Sequence, residues 1–181
     1  MPFKKIIQDV TVSTTPNYSN NDTLFDMVEV QLPAKSCLVH GGFFVSPNDD
    51  WASNDECSIH FFQKNTHAPG AANAAFGLTA DQMTENGYLG AVQISNVSYS
   101  GVVGLADVIE HYTLTSLGNV KHKHGVDEDT ERKYLGNLVL KSVNPGHTIF
   151  MVGIYDDNGA DGTASAFTDT DKSYIQLSLE Y

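Results

Sequence analysis

The stretch Ser173-Tyr-Ile-Gln-Leu-Ser-Leu-Glu-Tyr181 decides the fold class. Ile175, Leu177 and Leu179 alternate with Gln176, Ser178 and Glu180. A period of two sends one set of side chains to each face of an extended segment, so this is a strand with one buried face. The same reading carries toward the N-terminus. Over residues 25–32, Val28, Val30 and Leu32 face one side and Glu29 and Gln31 the other. Pro33 ends that strand, because proline cannot donate to a ladder. Over residues 6–13, Val10 and Val12 alternate with Asp9, Thr11 and Ser13. Over residues 58–64, Ile59 and Phe61 share one face, with His60 and Phe62 on the other. Residues 37–45 are more continuously apolar, and the Gly41-Gly42 pair inside them predicts a bulge or a close backbone approach. Further strands are expected at residues 88–99, 111–117, 134–143 and 147–155.

Helical signals are sparse. Thr79, with Gln82 three residues on and Gly87 beyond, has the spacing of an N-cap, a capping box and a C-terminal stop, and predicts one short helix. The strand–helix alternation of a parallel sheet is missing. The expected fold is therefore all-β: an antiparallel β-sandwich of jelly-roll type with about nine strands. At 181 residues the chain is long enough for a single sandwich domain over residues 1–181, with residues 1–15 as its first strand or as an N-terminal arm.

Charge narrows the function. Lys plus Arg number 10 against 22 Asp plus Glu, a net charge of −12. Such a surface repels phosphate, which argues against nucleic acid and against anionic membranes as partners. No stretch approaches the ~18 apolar residues of a spanning helix. The N-terminus, Met1-Pro-Phe-Lys-Lys, lacks the apolar run of a signal peptide, so synthesis and retention in a cytoplasm are expected. Cys37 and Cys57 each fall in or beside a strand and read as reduced, buried thiols.

Catalytic signatures are few. There is no Gly-x-Ser-x-Gly, no phosphate-binding glycine loop and no zinc spacing of cysteines. The chain is accordingly read as a non-enzyme without a cofactor. One segment competes with that reading: Gly118-Asn-Val-Lys-His122-Lys-His124-Gly-Val-Asp-Glu128, followed by Pro145-Gly146-His147. Two histidines at i and i+2 of a strand point the same way, and a carboxylate and a third histidine complete a metal site. The pattern resembles the first cupin motif, and that resemblance nominates His122, His124, Glu128 and His147 as ligands. It departs from the cupin pattern where the first glycine lies too close to His122 and where Met151 stands in place of an asparagine. Residues 121–132 also read as a solvated, charged loop.

Other polar clusters carry less. The run Asp156-Asp-Asn-Gly-Ala-Asp-Gly162 has the look of a calcium loop, but its twelfth position offers Thr168 or Phe167 where an EF-hand needs Glu. His40, His60, His67 and His111 stand without an Asp or Ser at suggestive spacing and read as packed or surface histidines. Trp51, among Asn48, Asp49 and Asp50, is a candidate sugar platform, which would make the chain a glycan-binding fibre or knob domain.

The run Val30-Gln-Leu-Pro-Ala-Lys-Ser-Cys-Leu-Val-His-Gly-Gly-Phe-Phe-Val45 ends one strand, turns tightly and starts another. With residues 58–62, 148–155 and 175–181, it resembles small jelly-roll-like virion structural proteins of tailed bacteriophages, marine ones especially. That resemblance implies a capsid decoration or cement protein. Its expected partner is the major capsid protein or another virion protein, and it is expected to form a homo-oligomer. Its place would be the outer capsid surface, where the acidic charge is better suited than on the side facing packaged DNA. Lys4 and Lys5, two of the ten cations, would let the N-terminal segment meet an acidic neighbour.

Overall fold

The computed structural model describes residues 2–14, 18–46, 55–94, 110–115, 138–157 and 173–181. Its strands are β1 (Phe3–Val10), β2 (Thr23–Gln31), β3 (Ser36–Ser46), β4 (Asp55–Phe62), β5 (Tyr88–Ile94), β6 (Glu110–Thr115), β7 (Val139–Lys141), β8 (Thr148–Asp157) and β9 (Ser173–Glu180). A single α-helix among the described residues, α1 (Ala80–Glu85), lies between β4 and β5. All the pairings between strands are antiparallel.

The pairing pattern identifies the architecture. With the short β7 set aside, the first strand pairs with the last (β1·β9) and the second with the second-last (β2·β8). The third pairs with the third-last (β3·β6), and the middle two pair with each other (β4·β5). That is one long antiparallel ribbon folded back on itself. The additional pairings β3·β9 and β4·β8 roll the ribbon into two sheets, β1-β9-β3-β6 and β5-β4-β8-β2. This is the jelly roll expected from the sequence. The sheets meet at a corner where β5 and β6 share the pairs Gln93↔Thr115 and Ile94↔Leu114. An isolated bridge, Val12↔Phe25, brings the chain after β1 against β2 at the opposite edge.

The core forms between the two sheets, as period-two alternation requires. Val10, Val39, Phe44, Ile175, Leu177 and Leu179 come from one sheet. Leu24, Phe25, Val30, Ile59, Phe61, Val92, Ile149 and Met151 come from the other. β9 alternates buried and half-buried residues along its whole length. Cys37 and Cys57 are both buried and neither forms a disulfide, and burial raises the Cys37 thiol above its ordinary pKa. Gly41 and Gly42 follow a register shift between Val39 and Gly41 in the β3·β9 ladder, the predicted bulge. Gly153, within β8, answers a close approach: a Cβ there would lie 2.4 Å from Cε1 of Phe25.

Tyr18 fastens the connection between β1 and β2. Its hydroxyl accepts from the Ser13 N–H at 2.6 Å and donates to the Leu24 carbonyl at 3.0 Å. The phenol is pushed up to about 12, chiefly by burial. The Ser13 N–H pulls the other way, and the nearby carboxylates of Asp22 and Asp26 add to the rise.

The alternation in β4 puts His60 and Phe62 on the face away from the core between the sheets, and Phe62 is fully buried there. Tyr88, the first residue of β5, packs on Phe62 with ring centroids 5.3 Å apart, and Phe76, from the segment between β4 and β5 that carries α1, lies 6.1 Å from the His60 ring. Asn86 holds that segment. Its Oδ1 accepts from the N–H groups of Thr66 and His67, both at 3.0 Å, and its Nδ2 donates to the His67 carbonyl at 2.8 Å. Its own carbonyl accepts from Gln63 and Lys64. Thr79 and Gln82 form the predicted capping box of α1, and Gly87 follows the C-cap residue Asn86 with a left-handed φ of 67°.

Candidate functional site

The outer edge of the sheet β1-β9-β3-β6 combines exposed apolar groups with cations. Val10 of β1 is buried, and Ile6 and Gln8 are half-buried. Even-numbered residues thus lean toward the core, and the odd-numbered Phe3, Lys5, Ile7 and Asp9 point to solvent. Phe3 is 66% and Ile7 62% exposed, the two most exposed large hydrophobic residues among those described. Lys4 and Lys5 are exposed beside them.

The neighbouring strands extend this surface. Phe3 lies opposite Glu180 in β9, and Glu180 lies opposite Leu38 in β3. Alternation after the buried Val39 puts His40 on the outer face, where its Nε2 meets the Glu180 carboxylate. The Phe3 ring stands edge-on to the His40 ring at 5.1 Å. An aromatic residue, an imidazole and a carboxylate therefore share one end of the face. Lys5 and Ile7 continue it opposite Ser178 and Gln176.

A second cluster sits on the outer face of the other sheet. Ser58 Oγ lies 2.9 Å from His60 Nε2, and the Tyr88 hydroxyl lies 3.1 Å from His60 Nδ1. The His60 ring stacks on Tyr88 at 5.7 Å and touches Phe76 at 6.1 Å. Serine, histidine and an orienting hydroxyl in sequence have the outline of an activated nucleophile. Burial pushes the Tyr88 phenol up to about 12, so it keeps its proton at neutral pH. A protonated phenol both donates and accepts, so the neutral imidazole hydrogen sits either on Nε2 toward Ser58 or on Nδ1 toward Tyr88, and only the second tautomer leaves Nε2 to accept from the serine. In either tautomer the cluster joins β5 to β4.

These partners correct the reading of the histidines as lacking suggestive companions. His40 has Glu180, His60 has Ser58 and Tyr88, and His67 has Glu85. Ser58 and His60 stand two apart on one strand, a spacing visible in the sequence. Glu180 is 140 positions from His40, and only the β3·β9 pairing joins them.

Of the nominated metal ligands, His122, His124 and Glu128 lie outside the described residues, as does Trp51. His147 is described: it is exposed, in the turn Pro145–His147 that precedes β8, with a left-handed φ of 62°. Its N–H donates to the Asn144 carbonyl and its carbonyl accepts from Leu32. Of the acidic run 156–162, Asp156 and Asp157 lie in β8 and the rest falls outside the described residues. Among the described residues no group of His, Cys, Asp or Glu is arranged to hold a metal ion, and no helix is long and apolar enough to cross a membrane. No model of a known protein family matches the chain, and no curated protein matches it.

Proposed function

We propose that this chain is a non-enzymatic structural protein of a bacteriophage virion, which decorates or cements the outer face of the capsid. The observation that carries the proposal is the jelly-roll strand order β1-β9-β3-β6 facing β5-β4-β8-β2. Viral capsid domains use this architecture, as do lectins and cupins, so the strand order supports the reading by analogy. Two further features favour the virion among these. The net charge of −12 is poorly placed against packaged DNA and compatible with the outer surface, where salt screens neighbouring copies beyond about 8 Å. The exposed apolar edge of β1 is a contact surface rather than a pocket, which suits a protein that works by attachment.

The test is association with heads. Purified protein, mixed with emptied heads of the phage that encodes it, should co-sediment with them and appear as regular projections in negative-stain images. Purified virions should contain it in near-stoichiometric ratio to capsid subunits. Absence from virions, together with no binding to heads, would end the proposal.

A further inference from the structure

We infer that the outer edge of β1, with which no described strand pairs, pairs with the same edge of a second copy, in an antiparallel ladder centred on Ile7. The inference concerns the isolated protein and does not depend on the virion assignment.

Among the described residues the backbone of β1 is paired along one side only, by β9. The Tyr181 N–H donates to the Pro2 carbonyl at 3.2 Å, and Pro2 stands opposite Tyr181 in the continuing β1·β9 register. In an antiparallel ladder the hydrogen-bonded pairs alternate, so the even residues of β1 spend their N–H and C=O groups on β9. The groups of Lys5, Ile7 and Asp9 point the other way. Among the described residues no strand pairs with that side of Phe3–Val10; the bridge Val12↔Phe25 closes the edge only beyond it. An open edge with exposed apolar side chains is a template for a further strand.

Charge and register select the occupant. Lys5 and Asp9 carry opposite charges on the same outward face of β1, so the strand is complementary to a reversed copy of itself. A two-fold axis keeps outer faces together only when the numbers of opposed residues sum to an even value. Centring on Ile7 sets Ile7 against Ile7 and places Lys5 opposite Asp9 on both sides of the axis. Centring on Ile6 instead opposes Phe3 to Asp9 and Lys5 to Ile7. Centring on Lys5 opposes two lysines, which is unfavourable. The Ile7 register also pairs the outward N–H and C=O groups of Lys5, Ile7 and Asp9 with their counterparts, and it joins the two β1-β9-β3-β6 sheets edge to edge. A ladder this short is a weak, concentration-dependent contact that strengthens when copies are arrayed.

Sedimentation equilibrium of the full chain across the micromolar range tests this. The expected result is a monomer–dimer equilibrium whose heavier species has twice the monomer mass of 19.7 kDa. Lys5→Glu should weaken the dimer about tenfold or more, and Lys5→Glu with Asp9→Lys should return it to within about threefold of the natural chain. Ile7→Pro removes an N–H that the β9 ladder does not use, so it should keep the fold and abolish the dimer. Ile7→Cys should cross-link under mild oxidation, since opposed residues of a hydrogen-bonded pair lie about 5.5 Å apart at Cα. A monomer at every concentration overturns the inference. So does a dimer indifferent to Lys5→Glu, or one that fails to cross-link through Ile7→Cys. Capsid binding without self-association would remove this inference and leave the proposed function standing.

Discussion

Gly153→Ala is the substitution whose cost follows most directly from the geometry. Gly153 lies in β8, opposite Ile59 of β4 on one side and Phe25 of β2 on the other. An added Cβ would stand 2.4 Å from Cε1 and 2.8 Å from Cδ1 of the Phe25 ring, and 3.1 Å from the Leu24 Cβ. Ordinary carbon contacts need about 3.5–4.0 Å, so the ring must retreat by roughly 1 Å. It has little room, because Phe25 and Leu24 are both 0% exposed. Register shifts on both sides of Phe25 also fix how it is presented to β8. Overpacking of this kind costs about 1–3 kcal/mol, and the unfolded chain's lost freedom on replacing glycine returns about 0.4–1 kcal/mol. With the overlap falling on an aromatic ring, the expected net loss is about 2 kcal/mol.

Urea unfolding of the two single variants and the double variant reads this out. Gly153→Ala should lower the midpoint without changing the slope. Phe25→Leu should also destabilise, by leaving part of the ring's volume empty. Combined, they should cost less than their sum by about 1 kcal/mol or more, since the shortened side chain makes room for the new methyl. An unchanged midpoint for Gly153→Ala, or strictly additive losses, would refute the claim that the Phe25 ring requires glycine at this position.

Four further outcomes are expected. Thr23 is fully buried, and its hydroxyl has no partner among the described residues, so Thr23→Val should be neutral or stabilising by up to about 1 kcal/mol in the same urea assay. Asn86→Ala removes both side-chain acceptance from Thr66 and His67 and donation to His67; it should cost about 1–3 kcal/mol and speed amide exchange selectively in the segment between β4 and β5. Cys37 and Cys57 are buried thiols outside any disulfide, so neither should react with Ellman's reagent in the native protein, and both should react in denaturant. Tyr18 and Tyr88 both rise from 10.0 to about 12. A raised folded-state pKa means their contribution is complete below pH 10 and lost as pH climbs through 12, so the melting temperature should fall across that window, and fall less in Tyr88→Phe.

The period of two made the strands legible because it follows from one property of the chain, the alternation of Cβ directions. It located β9 and the buried face of β2 directly from Ile175, Leu177, Leu179, Val28 and Val30. It could not supply the partners. Nothing local in Phe62 says that a covering segment will bury the outer face of β4, and the pairing of His40 with Glu180 exists only once β3 lies against β9. Residues Pro145-Gly146 did announce the turn that takes His147 out of the expected strand, since glycine there adopts a φ of 78°. A continuous apolar reading of the following residues obscured that local signal.

The same limit explains why the edge of β1 is hard to see from sequence. Ile6 and Ile7 are adjacent, equally hydrophobic and equally suited to a core. Which of them faces solvent depends on the register with β9, where Ile6 opposes Leu177 and Ile7 opposes Gln176. A slip of one residue would bury Ile7 and Phe3 and expose Ile6 and Val10. The jelly roll chooses the register that buries Val10 and leaves Phe3 and Ile7 outside, even though the opposite choice would hide two large side chains. Val10 and Val12 must both reach the core for the chain to cross to β2 at Phe25, and that closure outweighs two exposed hydrophobic residues at the start of the strand. The apolar groups at this edge are therefore a consequence of how the roll closes.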